Sequence, residues 1–315
     1  MKRPTLKDVA RKAGTSLMTV SRVVNNKPGV SKETKAKIMK AIEELGYKPH
    51  SDARSLRVGK TGRIGVVVSD IRNPFYAEMV GDIEDLAERM GMTVIVTDTE
   101  RKLEQEQRAL GALYNSGVDS IIIAPEGYNV EHLEAYKKRG INIVSFGVHC
   151  PEGHFSEVWI DEITGAKKVG AYFSNRRFES VILVMGNPRK FTTRGRTEGF
   201  IQGFGKDPDR ILHLPVNWQS AYKAVTELGK LPEAFFCYND MMALGVIKAL
   251  REKGAIPGED VAVVGYDDVF FAEISALTTV RIDKAKMVNA AFSLALSDVV
   301  EKIKFIPELI LRKSA

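Results

Sequence analysis

Residues 5–50 read TLKDVARKAGTSLMTVSRVVNNKPGVSKETKAKIMKAIEELGYKPH, and their spacing predicts three short helices. The first covers 5–13: Thr5 caps it, Asp8 lies in its first turn, and Leu6, Val9, Ala10 and Ala13 share one face. Gly14 stops it and Ser16 starts a second helix over 17–25, with Val20, Val23 and Val24 turned inward. Ser31 caps a third helix that runs to Gly46, where Ile38, Ile42 and Leu45 complete a small core. Two helices joined by a glycine-containing turn form a helix-turn-helix unit.

Charge sets this stretch apart from the rest. Residues 1–62 hold 15 Lys+Arg against 5 Asp+Glu, a net +10, while the remainder holds 31 against 35, a net −4. A small basic module on a mildly acidic body is an electrostatic footprint for nucleic acid; a solvated Lys-rich face would give the same count. Residues 47–62, YKPHSDARSLRVGKTG, begin with a helix-breaking Pro49 and carry too little apolar surface to hold a helix alone, so by composition they read as a basic linker.

From Ile64 onward, short apolar runs alternate with amphipathic helices. IGVVVSD, TVIVTDT, SIIIAP, INIVSFG, EVWID, SVILVMG, ILHLPV, AFFCYND, VAVVGYD and TTVRID are the strands expected. This is the rhythm of doubly wound parallel sheets, and so many strands imply two lobes, placed at about 63–160 and 162–282, with a closing segment containing ELILRK crossing back between them. The expected organisation is a helix-turn-helix domain at 1–48, a linker at 49–62 and a two-lobed α/β domain at 63–315.

Several functions lack any signal. No apolar run reaches membrane-spanning length, and the basic start is not followed by the apolar stretch of a secretory signal, which points to a cytoplasmic protein. Cys150 and Cys237 have no metal-ligand spacing around them, and the five histidines (His50, His132, His149, His154, His213) are scattered. There is no P-loop, dinucleotide fingerprint, G-x-S-x-G elbow or H-E-x-x-H. No enzyme, metal site or cofactor is expected.

The quoted stretch resembles the DNA-binding domain of the lactose/galactose repressor family, and SDIRNPFYAEMVGDIEDLAERMG, RGRTEGF, CYNDMMALGVIKALREKGAIPGEDVAVVGYDD and LTTVRID resemble its effector domain, which is similar to periplasmic sugar-binding proteins. The resemblance makes the second helix the recognition helix. It implies base contacts from Leu17, Met18 and Arg22, with Arg22 able to grip a guanine bidentately and the other two limited to apolar contact. Thr5, Ser16, Thr19, Ser21, Asn25 and Ser31 then suit phosphates. In the same light 49–62 becomes a hinge helix, with Leu56 wedging between base pairs in the minor groove and Arg54 and Arg57 near phosphates.

Ligands of open α/β sheets bind at the carboxyl ends of strands. Asp70, Asn73, Phe75 and Tyr76 follow the first strand; Lys190, Thr192 and Arg196 the sixth; Trp218 the seventh. Asn239 and Asp240 end the eighth, and Asp267 ends the ninth. Arg196, Asn239 and Asp267 suit vicinal hydroxyls, and Phe75, Tyr76 and Trp218 suit the apolar face of a ring. Gly147 stands where many members place an aspartate. The resemblance thus implies a homodimeric repressor that binds a pseudo-palindromic operator and is controlled by a sugar-like effector. A purine or partner-protein effector, or a solute-binding protein without a regulatory role, are the alternatives.

Overall fold

Caps define the first three helices. The computed structural model describes residues 4–24, 27–47, 60–127 and 129–315. Helices α1 (Leu6–Ala13), α2 (Leu17–Val24) and α3 (Lys32–Leu45) lie where the sequence places them. Thr5 and Asp8 form a reciprocal capping box, and Ser31 accepts from the Thr34 N–H. Gly14 and Gly46 close α1 and α3 in the left-handed region, at φ 62° and 61°. Val9, Ala10, Val20, Val23, Ile38 and Ala41 form the core. Tyr47 joins them, because the Schellman-type bond from its N–H to the Ile42 carbonyl turns it back onto the helix. Arg54, Leu56 and Arg57, from the hinge expected at 49–62, fall within residues 48–59, and Asn25 within 25–26; both stretches lie outside the described residues.

The chain divides into two units, Met1–Thr61 and Gly62–Ala315. The second begins with β1 (Arg63–Val68), α4 (Pro74–Arg89), β2 (Thr93–Asp98), α5 (Leu103–Asn115), β3 (Ser120–Ile123), α6 (Glu131–Lys137), β4 (Asn142–Gly147) and β5 (Ser156–Ile160). It continues through α7 (Glu162–Asn175), β6 (Val181–Met185), α8 (Phe191–Phe204), β7 (Arg210–His213), α9 (Trp218–Thr226), β8 (Ala234–Cys237), α10 (Asp240–Glu252), β9 (Ala262–Val264), α11 (Phe270–Ile274) and β10 (Thr279–Arg281). It ends with α12 (Lys284–Leu296), β11 (Lys302–Phe305) and β12 (Glu308–Ile310).

The near-continuous Val/Ile/Leu runs become strands buried on both faces, as parallel sheets require. The first sheet has the order β11-β5-β4-β3-β1-β2 and the second β7-β6-β8-β9, all parallel, while β10 and β12 form an antiparallel pair. The chain crosses between lobes three times, after β5, after β10 and after β11. Helix α12 therefore packs on the first lobe, against α4 and β4. There Asn142 donates to the carbonyls of Leu294, Ala295 and Ser297 at 2.8, 3.1 and 2.8 Å. The end of the chain returns to the second lobe, where Ser314 accepts from the Val263 N–H at 2.6 Å. None of the described helices is long and apolar enough to cross a membrane.

Candidate functional site

In the first unit the exposed residues of α2 stand out. Leu17 and Met18 are 45% and 71% exposed although both are large and apolar, and Arg22 is exposed as well. Val20 and Val23 take the buried face, so these three side chains are left for an outside surface. Ser16 accepts from the Thr19 N–H and bonds its hydroxyl at 2.8 Å, which fixes the N-terminus of α2. Thr5 and Ser31 are occupied as caps in the same way. Such caps leave the first-turn N–H groups pointing outward, where they suit phosphate oxygens. Ser21 is half-buried on α2.

In the second unit, strand order reverses between β1 and β3 in one lobe and between β6 and β8 in the other. The loops leaving these four strands meet in a cleft. One half is lined by Asn73, Phe75, Tyr76, Phe146, Gly147, Glu162, Arg196 and Asp267; the other by Ser69, Glu126, Gly127, Arg189 and Lys190. Tyr76, Arg101, Val148, Thr192 and Tyr238 line both.

Asn73 caps α4, accepting from the Phe75 N–H at 3.2 Å, and so sets Phe75 and Tyr76 in the first turn. Their rings meet edge to face at 5.2 Å. Burial holds the Tyr76 phenol protonated, above its ordinary pKa. Asp70 pairs with Arg72 at 2.7 Å and lies 3.6 Å from Arg101 Nε, which makes no hydrogen bond. Thr192 and Tyr238 join hydroxyls at 2.9 Å.

Arg196 is buried, and its fork is already engaged. Nε and Nη2 donate to the two oxygens of Glu162 at 2.9 Å each, Nη1 donates to the Tyr238 carbonyl, and Asp267 lies 3.6 Å from Nη2. The guanidinium also stacks 3.7 Å from the Tyr266 ring centroid and 4.6 Å from that of Tyr238. The donor fork expected to face ligand hydroxyls is thus turned to Glu162. Asp267 keeps more acceptor capacity: among the described residues the cation within 4 Å of its carboxylate is this already shared one. Burial pushes its carboxyl up to about 7 against the pull of Arg196.

Three expected residues take other places. Trp218 lies outside the cleft lining: it follows edge strand β7, away from the reversal in strand order, and its backbone packs on Gly245 of α10. Asn239 caps α10 through the Met242 N–H, its amide nitrogen buried without a partner. Asp240 accepts from Thr279 Oγ1 at 2.5 Å and from the Val269 N–H at 2.9 Å, which ties α10 to the strands beside it. Burial, and then the charge of Asp267, raises its pKa well above the carboxylate range. Asp267, just past the end of β9, is 5% exposed.

Sequence reasoning missed Glu126, Glu162 and Arg101. All three follow strands or open helices, yet their partners lie far along the chain. Among the described residues no group of three or more His, Cys, Asp or Glu has a metal-binding arrangement.

Comparison with known proteins gives the same two parts. Residues 5–50 match the bacterial regulatory proteins of the lacI family, and residues 61–290 match the periplasmic binding proteins and sugar binding domain of the LacI family. The chain is 30% identical to the HTH-type transcriptional repressor PurR of Pasteurella multocida over 98% of both proteins, and 31% identical to that of Proteus mirabilis over 98% of this chain and 96% of that one. Among solved structures, the lac repressor dimer bound to operator and the anti-inducer ONPF aligns with a TM-score of 0.86 at 25% identity over 99% of each chain. The transcriptional regulator CelR in complex with cellobiose aligns at 0.71 and 26% identity, over 99% of this chain and 100% of that one. A basic helix-turn-helix unit followed by two lobes around a polar cleft, matched along nearly its whole length by such proteins, makes this chain a member of the LacI family of DNA-binding transcriptional repressors.

Proposed function

We propose that the protein is a cytoplasmic homodimer that represses transcription from a pseudo-palindromic operator under the control of a small, uncharged ring compound bound in the cleft. The observation that carries this reading is the combination of Phe75 and Tyr76 with the carboxylates of Asp267 and Glu126 in one cleft. Aromatic faces suit a ring, and buried carboxylates accept from its N–H or O–H groups. A purine base is the leading candidate, because the full-length relatives at about 30% identity are named PurR. A sugar is the second reading, favoured by the likeness to the cellobiose complex of CelR and by the sugar-binding description of the matched domain.

In the DNA complex Leu17, Met18 and Arg22 read bases, while Thr5, Ser16, Thr19, Ser21, Asn25 and Ser31 contact phosphates. Arg54, Leu56 and Arg57 belong to a hinge at the operator's centre. The test is selection of bound sites from random DNA, followed by anisotropy titrations with adenine, guanine, xanthine, ribose or cellobiose present. Inverted half-sites are expected, with one class of compound shifting affinity at least tenfold. Single asymmetric sites would refute the dimer, and a shift by neither class would refute the ligand assignment.

A further inference from the structure

In one half of the cleft a side chain of one lobe occupies a carboxylate of the other. Lys190 stands just before α8 on the second lobe, and its ammonium reaches the first lobe to donate to both the carboxylate and the main-chain carbonyl of Glu126. The Glu126 side chain is 1% exposed, and its other oxygen accepts from Thr99 Oγ1 at 2.7 Å. Beneath it, the Glu126 N–H donates to Glu106 at 2.6 Å, and Glu106 bonds His132 at 2.5 Å, so the loop after β3 is held in place. A buried carboxylate is costly unless paired, and here the pairing group is a flexible side chain from the opposite lobe. The cleft is narrow, about 30 Å³ in one half and 40 Å³ in the other, and on Glu126 the donor position is taken by Lys190. An effector that bonds the Glu126 carboxylate from the cleft must therefore displace Lys190.

Resting on the reading of this cleft as the effector site, we infer that Glu126 is an effector-reading carboxylate whose place Lys190 holds until a ligand displaces it. Lys190 is then an internal competitor and a latch between lobes, the reverse of a direct ligand contact. The chemistry of the displacing group follows. It must replace the ammonium's donors with hydroxyl, amino or ring N–H groups. A phosphate or carboxylate placed directly on Glu126 would meet its negative charge, whereas a neutral donor would not. The position on Glu126 thus takes the donor groups of a base, nucleoside or sugar in preference to a phosphate.

Two measurements on the full-length protein test this. Hydrogen–deuterium exchange without added ligand compares wild type with Lys190→Met; exchange should quicken in both 124–127 and 190–194, because the latch is gone. Unchanged exchange in both segments would overturn the latch, whatever the effector proves to be. Calorimetric titration then uses adenine, guanine, xanthine, guanosine, guanosine 5′-monophosphate, ribose, ribose 5-phosphate and cellobiose. For whichever compound binds, Lys190→Met should tighten binding at least tenfold, and Glu126→Gln added to that variant should weaken it at least tenfold. Weaker binding by Lys190→Met, no effect of the added Glu126→Gln, or preference for a phosphorylated compound would each sink the competitor role. If no compound binds, the ligand classes proposed above fail, while the exchange result still decides the latch.

Discussion

At the scale of residues, Asp267 concentrates the physical cost of the cleft. Its φ is 102°, a conformation that favours glycine, and Asp268 follows at 47°. An alanine there would mix backbone strain with loss of the carboxylate, whereas asparagine tolerates such conformations and keeps the shape. The Asp267 carboxyl titrates near 7 in the fold against an ordinary value near 3.8. Between those values Asp267 keeps a proton in the folded protein that it has released in the unfolded chain, so its own contribution to stability falls as pH rises from about 4 to about 7 and is level above. Asp267→Asn mimics the protonated form. Its melting temperature should match wild type near pH 4 and exceed it at pH 8, with each pH unit across the window worth up to about 1.4 kcal/mol. A constant difference at both pH values would mean that Asp267 carries its charge in the fold without penalty.

At the scale of elements, the geometry of the Arg196–Glu162 pair depends on how closely α7 and α8 approach. A Cβ on Gly199 would meet the Ile163 carbonyl at 2.1 Å, one on Gly203 the Lys167 carbonyl at 2.1 Å, and one on Gly170 the Phe200 carbonyl at 2.2 Å. These obstacles are backbone, which cannot rotate away. Gly199→Ala should therefore push the helices apart and destabilise by about 1–3 kcal/mol, read from denaturant unfolding. Because Glu162 and Arg196 lie on the two separated helices, ligand binding should weaken in the same variant. Full stability would show that the crossing has slack.

The strands and these helices were legible in the sequence because their apolar periodicity and caps are local: Thr5, Ser31, Gly14 and Gly46 each act within a few residues. The glycine stripe was not read as a helix crossing, since its partner atoms are main-chain carbonyls some 30 residues away. The strand-end rule found Phe75, Tyr76, Thr192 and Asp267, but it also placed Trp218 in the cleft, because it does not say on which side of the strand-order reversal a loop falls. Glu126 and Lys190 are 64 positions apart and meet only once both lobes exist.

At the scale of the whole molecule, charge and fold divide at the same place. The first unit ends at Thr61, and residues 1–62 carry the net +10. The second unit has its own continuous cores and both parallel sheets, with the chain's end sewn to β9 through Ser314. Residues 62–315 should thus fold and bind effector alone yet fail to bind operator. The first unit has a core of only a few side chains and will be far less stable by itself. Operator binding by the full chain should fall steeply with salt, since each phosphate neutralised releases a counterion. Within that unit, two kinds of contact predict different signatures. Arg22→Ala should cost about 1–3 kcal/mol on the preferred operator and relax discrimination at one base pair per half-site. Lys27→Ala, removing an exposed cation beyond α2, should weaken all sequences alike and reduce the salt slope. Anisotropy titrations at several salt concentrations, on the selected operator and on single-base variants, separate the two. Equal loss on every variant for Arg22→Ala would remove it from the base-reading set.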